Sequence, residues 1–181
     1  MENALGGIDI FIANVSALAQ GMDEASWRAG LDTDLMATVF GIEAALPMIQ
    51  QSATGAIVVV GTTGAVEVAG PPRAYASVKA ALAPYVKALA RNLAPKNVRA
   101  NMVSPGNVYF KDGIWNKVEV NNPEAFRTAL SRNPMGRMGT PEEVAEEIAR
   151  MSEVLRASGA TRITVSQSEA ERLRFWSGRK N

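Results

Sequence analysis

The chain contains no cysteine and no histidine. The first absence removes disulfides, thiolate nucleophiles and cysteine-based metal sites, and the second removes the commonest general base and transition-metal ligand at neutral pH. No metal site is expected, and any acid-base chemistry has to use carboxylates, lysine, hydroxyls or phenols. No stretch approaches the ~20 apolar residues of a membrane span. The opening Met1-Glu2-Asn3-Ala4-Leu5-Gly6-Gly7 lacks the basic region and apolar core of a secretion signal. The expectation is a cytoplasmic protein with no membrane partner. An excess of charge is missing too: 19 Lys and Arg face 18 Asp and Glu, a net +1, so the totals supply no attraction for nucleic acid. Aromatics are only 6% of the chain, and the three tryptophans, Trp27, Trp115 and Trp176, read as packing or interface residues rather than a stacking platform.

What the 181 residues do contain is 47% hydrophobic and 20% charged side chains, enough for one globular domain with a real core. Ile8 to Ala13, after Gly6-Gly7 and before Asn14, and Ala56 to Val60, between Gly55 and Gly61, are short, β-branched, apolar runs, as strands buried in a parallel sheet would be, and Val98 to Val103 reads as a third. Between them, Asp23 offers a helix cap. Leu35, Val39, Ile42, Leu46 and Ile49 recur at helical spacing from Asp32 to Gln51, with Leu46-Pro47-Met48 at the end. Val78, Leu82, Tyr85, Val86 and Leu89 do the same from Arg73 to Leu93. Pro84 inside the latter removes an amide donor and crowds the carbonyl of Ala80, so a kink is expected. Pro141-Glu142-Glu143-Val144 opens a further helix, and Thr161 to Val165 is a short final strand. Strands alternating with helices predict right-handed βαβ units and an α/β fold around a parallel sheet.

Tyr75-Ala76-Ser77-Val78-Lys79 sets a phenol and an ammonium four residues apart at a helix start, where both project from one face. A phenol of ordinary pKa ~10 is a poor acid-base group at neutral pH, and a neighbouring ammonium lowers that value. Thr62, in Gly61-Thr62-Thr63-Gly64 just after the second strand, precedes Tyr75 by thirteen residues. Together with Ile12-Ala13-Asn14 at the first strand's end, Asn101 to Gly106 after the third, and Gly136-Arg137-Met138-Gly139-Thr140-Pro141, these signals resemble the short-chain dehydrogenase/reductase family in order and spacing, over roughly Leu5 to Ala149.

The resemblance implies a hydride transfer between NAD or NADP and an alcohol or carbonyl group of a small-molecule substrate. It implies Tyr75 as the acid or base at the substrate oxygen, and Lys79 as the residue that lowers the Tyr75 pKa and binds the nicotinamide ribose. Thr62, where serine is usual, would orient substrate. The family's fourth catalytic residue, an asparagine, falls on Asp34, a carboxylate that accepts hydrogen bonds but cannot donate them when ionised. Asn14, Pro105, Gly106 and Val108 would line the cofactor, although Val15 and Ser16 replace the alanine and glycine that usually follow Asn14, and Phe110 stands where many members have threonine. The helices at 32–51 and 73–93 would join copies into a homo-oligomer.

One element of the family pattern is missing. No G-x-x-x-G-x-G turn occurs anywhere in the sequence, so nothing delivers backbone amides and a helix amino terminus to a pyrophosphate. The expected fold is a partial Rossmann-like doubly wound parallel sheet lacking the first βαβαβ half. Residues 1–181 would form a single truncated NAD(P)-binding domain whose tail, 150–181, diverges from the family. The Ile8 to Ala13 strand would become an apolar edge prone to pairing with other chains. Two readings follow: an oxidoreductase impaired or inactive as an isolated chain, or a non-catalytic remnant that serves as an association module.

Overall fold

A computed structural model describes residues 7–67 and 70–153 and the backbone of 163–164. Strand β1 (Ile10–Ala13) leads into helix α1 (Glu24–Ala29), which continues through a π-helical turn (Gly30–Met36) into α2 (Ala37–Ile49). Strand β2 (Ala56–Val60) is followed by α3 (Ala74–Ala80) and α4 (Leu82–Leu93), then by β3 (Arg99–Val103). Helices α5 (Ile114–Asn121), α6 (Pro123–Ser131) and α7 (Pro141–Glu153) precede β4 (Ile163–Thr164). The strands lie in the order β1-β2-β3-β4, every pair parallel, with Ile12 beside Val58, Val58 beside Asn101, and Met102 beside Ile163. This is the expected parallel α/β sheet. Residues 154–162 and 165–181, most of the expected divergent tail, lie outside the described residues.

The two faces of the sheet are packed differently. On one, Ile42 and Ile49 of α2 and Leu82, Val86 and Leu93 of α4 close over Ile57, Val59, Ala100 and Met102. On the other, Met151 and Ile148 of α7 cover Val58 and Val103. With apolar layers above and below, β2 and β3 are buried along their whole length, which is why Ala56-Ile57-Val58-Val59-Val60 shows no polar alternation. At β1, Phe11 packs towards Gly41 of α2, whereas Ile10 and Ile12, on the face that α7 covers elsewhere, stay 41% and 47% exposed.

The helices differ from expectation in detail. Asp23 caps α1, its Oδ1 accepting from the Ser26 amide at 2.9 Å. The helix expected at 32–51 begins earlier and takes in the π-helical turn, and Pro47 sits inside α2 without ending it. The helix expected at 73–93 is interrupted at Ala81, three residues before Pro84, as a missing amide and a ring against the preceding carbonyl require.

Candidate active site

In a parallel sheet the strands' carboxyl ends share one edge, and loops from several strands converge there. Val60 at the end of β2 lies beside Val103 of β3, and Ala13 of β1 beside Val59. The segment after β1 crosses towards α3: the amides of Ala74 and Tyr75 donate to the carbonyls of Gly21 and Ala19 at 3.1 and 3.0 Å, and Arg73 donates to Gln20. The turn after β2 is fixed by Thr62, whose Oγ1 accepts from the Gly64 amide at 3.2 Å, and by the Thr63 amide donating to the Pro105 carbonyl at 3.0 Å.

Into this frame α3 presents Tyr75 and Lys79. Lys79 is 3% exposed and Asp34, on the π-helical turn, 0%. Lys79 Nζ donates to the carbonyls of Val60 at 3.0 Å and Val15 at 3.1 Å and lies 3.3 Å from Asp34 Oδ1. Three oxygens therefore surround an ammonium that has three N–H groups. Asp34 Oδ2 accepts from the Ala17 amide at 3.0 Å, while Oδ1, 3.3 Å from the ammonium, accepts no hydrogen bond. The Tyr75 phenol lies near enough to the Thr62 hydroxyl and to the Asp34 charge for both to act on its ionisation. The four residues proposed for chemistry, Tyr75, Lys79, Thr62 and Asp34, are thus brought together.

Burial pushes the Tyr75 phenol above its ordinary value of 10.0; the Thr62 hydroxyl opposes this, and the Asp34 carboxylate raises it further. Lys79 is itself held below its ordinary value, chiefly by burial, with Asp34 pulling the other way. For the phenol the direction is opposite to the lowering expected from Lys79: burial is the largest influence, and the carboxylate of Asp34 stands 3.3 Å from the ammonium.

The residues expected to line a cofactor are placed less uniformly. Asn14 is exposed at the end of β1, one residue before the carbonyl that Lys79 grips. Pro105 and Gly106 follow β3, with the Pro105 carbonyl tied to Thr63. Val108 forms an isolated parallel bridge with Gly139, so it belongs as much to the 136–140 loop as to the edge of the sheet. A nicotinamide dinucleotide would need a free donor from Lys79 for its ribose and amides for its pyrophosphate. Two of the three N–H groups of Lys79 are held by carbonyls of the chain, and no G-x-x-x-G-x-G turn that would supply the pyrophosphate amides occurs among these residues.

Some features escape a reading of the sequence. The carbonyls of Val15 and Val60 hold Lys79, but a backbone acceptor leaves no mark in residue type. A separate cavity of about 390 Å³ has walls that include Tyr109, Glu119, Phe126, Arg137 and Thr140. Tyr109 Oη donates to Glu119 Oε2 at 2.5 Å and accepts from Asn116 Nδ2 at 3.0 Å. Trp115 packs against Phe126, ring centroids 6.5 Å apart. No group of three or more metal-ligating side chains occurs among the described residues, and no helix among them is long and apolar enough to cross a membrane.

Residues 1–164 match the family model described as enoyl-(acyl carrier protein) reductase. The chain is 35% identical over 142 residues to isoepoxydon dehydrogenase patN of Penicillium expansum, across 78% of this chain and 55% of that protein. Among solved structures, an oxidoreductase of the short chain dehydrogenase/reductase family from Burkholderia thailandensis superposes with a TM-score of 0.77 at 30% identity, over 96% of this chain and 70% of the other. A 3-oxoacyl-(acyl-carrier-protein) reductase from Agrobacterium tumefaciens with NADP bound gives 0.77 at 25% identity, over 90% and 65%. The chain spans little more than half the length of the curated relative.

Proposed function

The chain belongs to the short-chain dehydrogenase/reductase family, and from that premise we propose that it carries the proton-transfer half of an oxidoreductase acting on an alcohol or carbonyl group of a small molecule, with Tyr75 as the acid or base. The observation that supports this most directly is that the Tyr75 phenol and the Thr62 hydroxyl stand close enough to influence one another at the carboxyl edge of the sheet, where ligands of open α/β folds gather. A substrate oxygen placed between the two hydroxyls would receive a hydrogen bond from Thr62 and exchange a proton with Tyr75 Oη. Asp34 and Lys79 stand behind the phenol and set its charge environment. Asn14, Pro105, Gly106 and Val108 form the wall on which NAD or NADP would bear, provided a glycine-rich half from outside these residues holds the dinucleotide and Lys79 is released to it. In this reading residues 1–181 are one domain with a tail that diverges from about residue 150, and the chain by itself is impaired.

Fluorescence titration of the purified chain with NADH and NADPH tests the impairment: binding weaker than millimolar is expected, and micromolar binding contradicts it. In any form of the protein that turns over an alcohol or ketone, Tyr75→Phe removes the exchangeable proton and is expected to lower kcat by at least ~10²-fold, the usual scale of a general acid or base. Unchanged turnover would sink the assignment.

A second reading, an association module, draws on a different observation. Leu31, Met36 and Phe40, on the continuous helical stretch from α1 to α2, are 42%, 36% and 58% exposed. A second copy of the chain would cover that face, together with the helices at 32–51 and 73–93, in a homo-oligomer. Phe40→Lys should then lower the molar mass measured by light scattering, and an unchanged mass would reject this face as the contact.

A further inference from the structure

The cavity of about 390 Å³ is lined by α5, α6 and the loop that leads into α7, and its volume is that of a small-molecule site. Tyr75, Thr62, Asp34 and Lys79 are not among its walls. Much of the lining is apolar, from Phe126 and Leu130 of α6 and the buried Met138. The rings of Tyr109 and Phe126 meet edge to face with centroids 5.9 Å apart, which makes an aromatic corner in the wall.

The charged side chains on the walls, Glu119 and Arg137, are in opposite conditions. Arg137 is fully engaged: its guanidinium holds Glu143 through hydrogen bonds of 2.9 and 2.6 Å and donates to the Met138 carbonyl at 3.1 Å. Glu119 is fixed in place but keeps its charge. Its Oε2 accepts from Tyr109 Oη at 2.5 Å, and Tyr109 Oη in turn accepts from Asn116 at 3.0 Å. No lysine or arginine among the described residues pairs with it.

A half-buried carboxylate without a cation, beside aromatic rings, decides what can enter. An anion would be repelled by Glu119 and would find Arg137 already neutralised. A wholly apolar molecule would strip water from the carboxylate and return no hydrogen bond. An ammonium satisfies both walls, since it donates to the carboxylate and is attracted by the ring faces.

We propose that this cavity binds a primary amine carried on a short apolar body, with the ammonium against Glu119 and the corner of Tyr109 and Phe126, and the body against Leu130 and Met138. The site goes beyond the proton-transfer reading and does not depend on it.

Calorimetric titration of the full chain with phenethylamine, phenylacetamide and phenylacetate tests this, because the three probes share a body and differ in the charge of the head. Phenethylamine should bind about tenfold or more tighter than phenylacetamide, the scale of a hydrogen bond to a charged group, and phenylacetate should bind weakest. Glu119→Gln keeps an acceptor for Tyr109 and removes the charge, so it should abolish the preference for the amine while leaving the amide's affinity unchanged. Phe126→Leu should reduce the preference about threefold. The proposal is overturned if millimolar phenethylamine gives no binding heat, if it binds no tighter than the amide, or if the preference survives Glu119→Gln. A Glu119 that served only to hold α5 would weaken amine and amide alike when replaced, which overturns it too. Should Glu119→Gln fail to give a folded circular-dichroism spectrum, the wild-type series and Phe126→Leu decide: a preference that falls in that variant supports the site, and one that does not change overturns it.

Discussion

A lysine that is 3% exposed remains an ammonium only if the protein replaces the water it has lost, and here two carbonyls and a carboxylate do so. The two partners are not equally easy to remove. Without Lys79, Asp34 keeps a single donor, the Ala17 amide, and a buried carboxylate with one hydrogen bond is poorly solvated. Without the Asp34 charge, Lys79 keeps both carbonyls and an asparagine oxygen, and can also release its proton. Lys79→Met is therefore expected to cost about 3–5 kcal/mol, the usual penalty for breaking a buried pair from one side, and Asp34→Asn less than half of that, both read from urea midpoints. Equal losses would mean that the charge of Asp34 does not need compensation. Thr62 adds a smaller case: Thr62→Val strands the Gly64 amide and should cost about 1 kcal/mol, whereas Thr62→Ser should be nearly silent. At this scale the sequence is a good guide to side chains and a poor one to fields. Tyr75, Lys79, Thr62 and Asp34 can be picked out by order and spacing, and the fold brings them together. That the phenol is raised and not lowered depends first on its burial and then on the Asp34 carboxylate, neither of which a spacing rule contains.

At the level of elements, the start of α7 shows a local rule working without help from tertiary packing. Thr140 and Glu143 form a reciprocal cap: the Glu143 amide donates to Thr140 Oγ1 at 3.3 Å, and the Thr140 amide donates to Glu143 Oε2 at 2.9 Å. Arg137 adds two hydrogen bonds to the same carboxylate, at 2.9 and 2.6 Å. Those Arg137 bonds, followed by the Thr140 amide, hold Glu143 at a pKa of about 2 against an ordinary 4.5. Because the folded value is the lower one, this contribution is present above 4.5 and is lost as pH falls towards 2. The gap in Tm between wild type and Glu143→Gln should be constant near neutrality, narrow between pH 4.5 and 2, and vanish below; a gap that does not change with pH would remove Arg137 from the account. Gly55 is a second local requirement. A Cβ there would lie 2.7 Å from the Ile49 carbonyl and 3.0 Å from Val98, and since the first is backbone, Gly55→Ala should destabilise by about 1–3 kcal/mol, measured by thermal melting. Strands and the proline break can be read because β-branched runs and a missing amide act through near neighbours. The π-helical turn that carries Asp34 has no such signal; Gly30-Leu31-Asp32-Thr33-Asp34-Leu35-Met36 looks like ordinary helix in any window, and its extra residue per turn is visible only against α3.

Across the whole molecule, the two faces of the sheet are covered to different extents. Helices α2 and α4 reach from β1 to β3 on one side, while on the other α7 protects Val58 and Val103 and leaves Ile10 and Ile12 exposed at 41% and 47%. Among the described residues β1 is also the end of the sheet, so an apolar face and an open backbone edge coincide at the same four residues. Edge strands that stay soluble usually carry a lysine, a proline or a bulge to prevent pairing, and Ile10-Phe11-Ile12-Ala13 has none of these. Burying both isoleucines against another chain would gain roughly 1.5–3 kcal/mol for each if complete, with backbone pairing in addition, and no charge on β1 opposes it. The chain at high micromolar concentration is therefore expected to scatter light as a self-associating species. Ile12→Lys, which places a charge on the exposed face while leaving Phe11 and Ala13 in the core, should reduce that association without lowering Tm. If the substitution leaves the scattering mass unchanged, the edge is not the contact. If Phe40→Lys alone lowers that mass, the helical face is the surface that holds copies of the chain together.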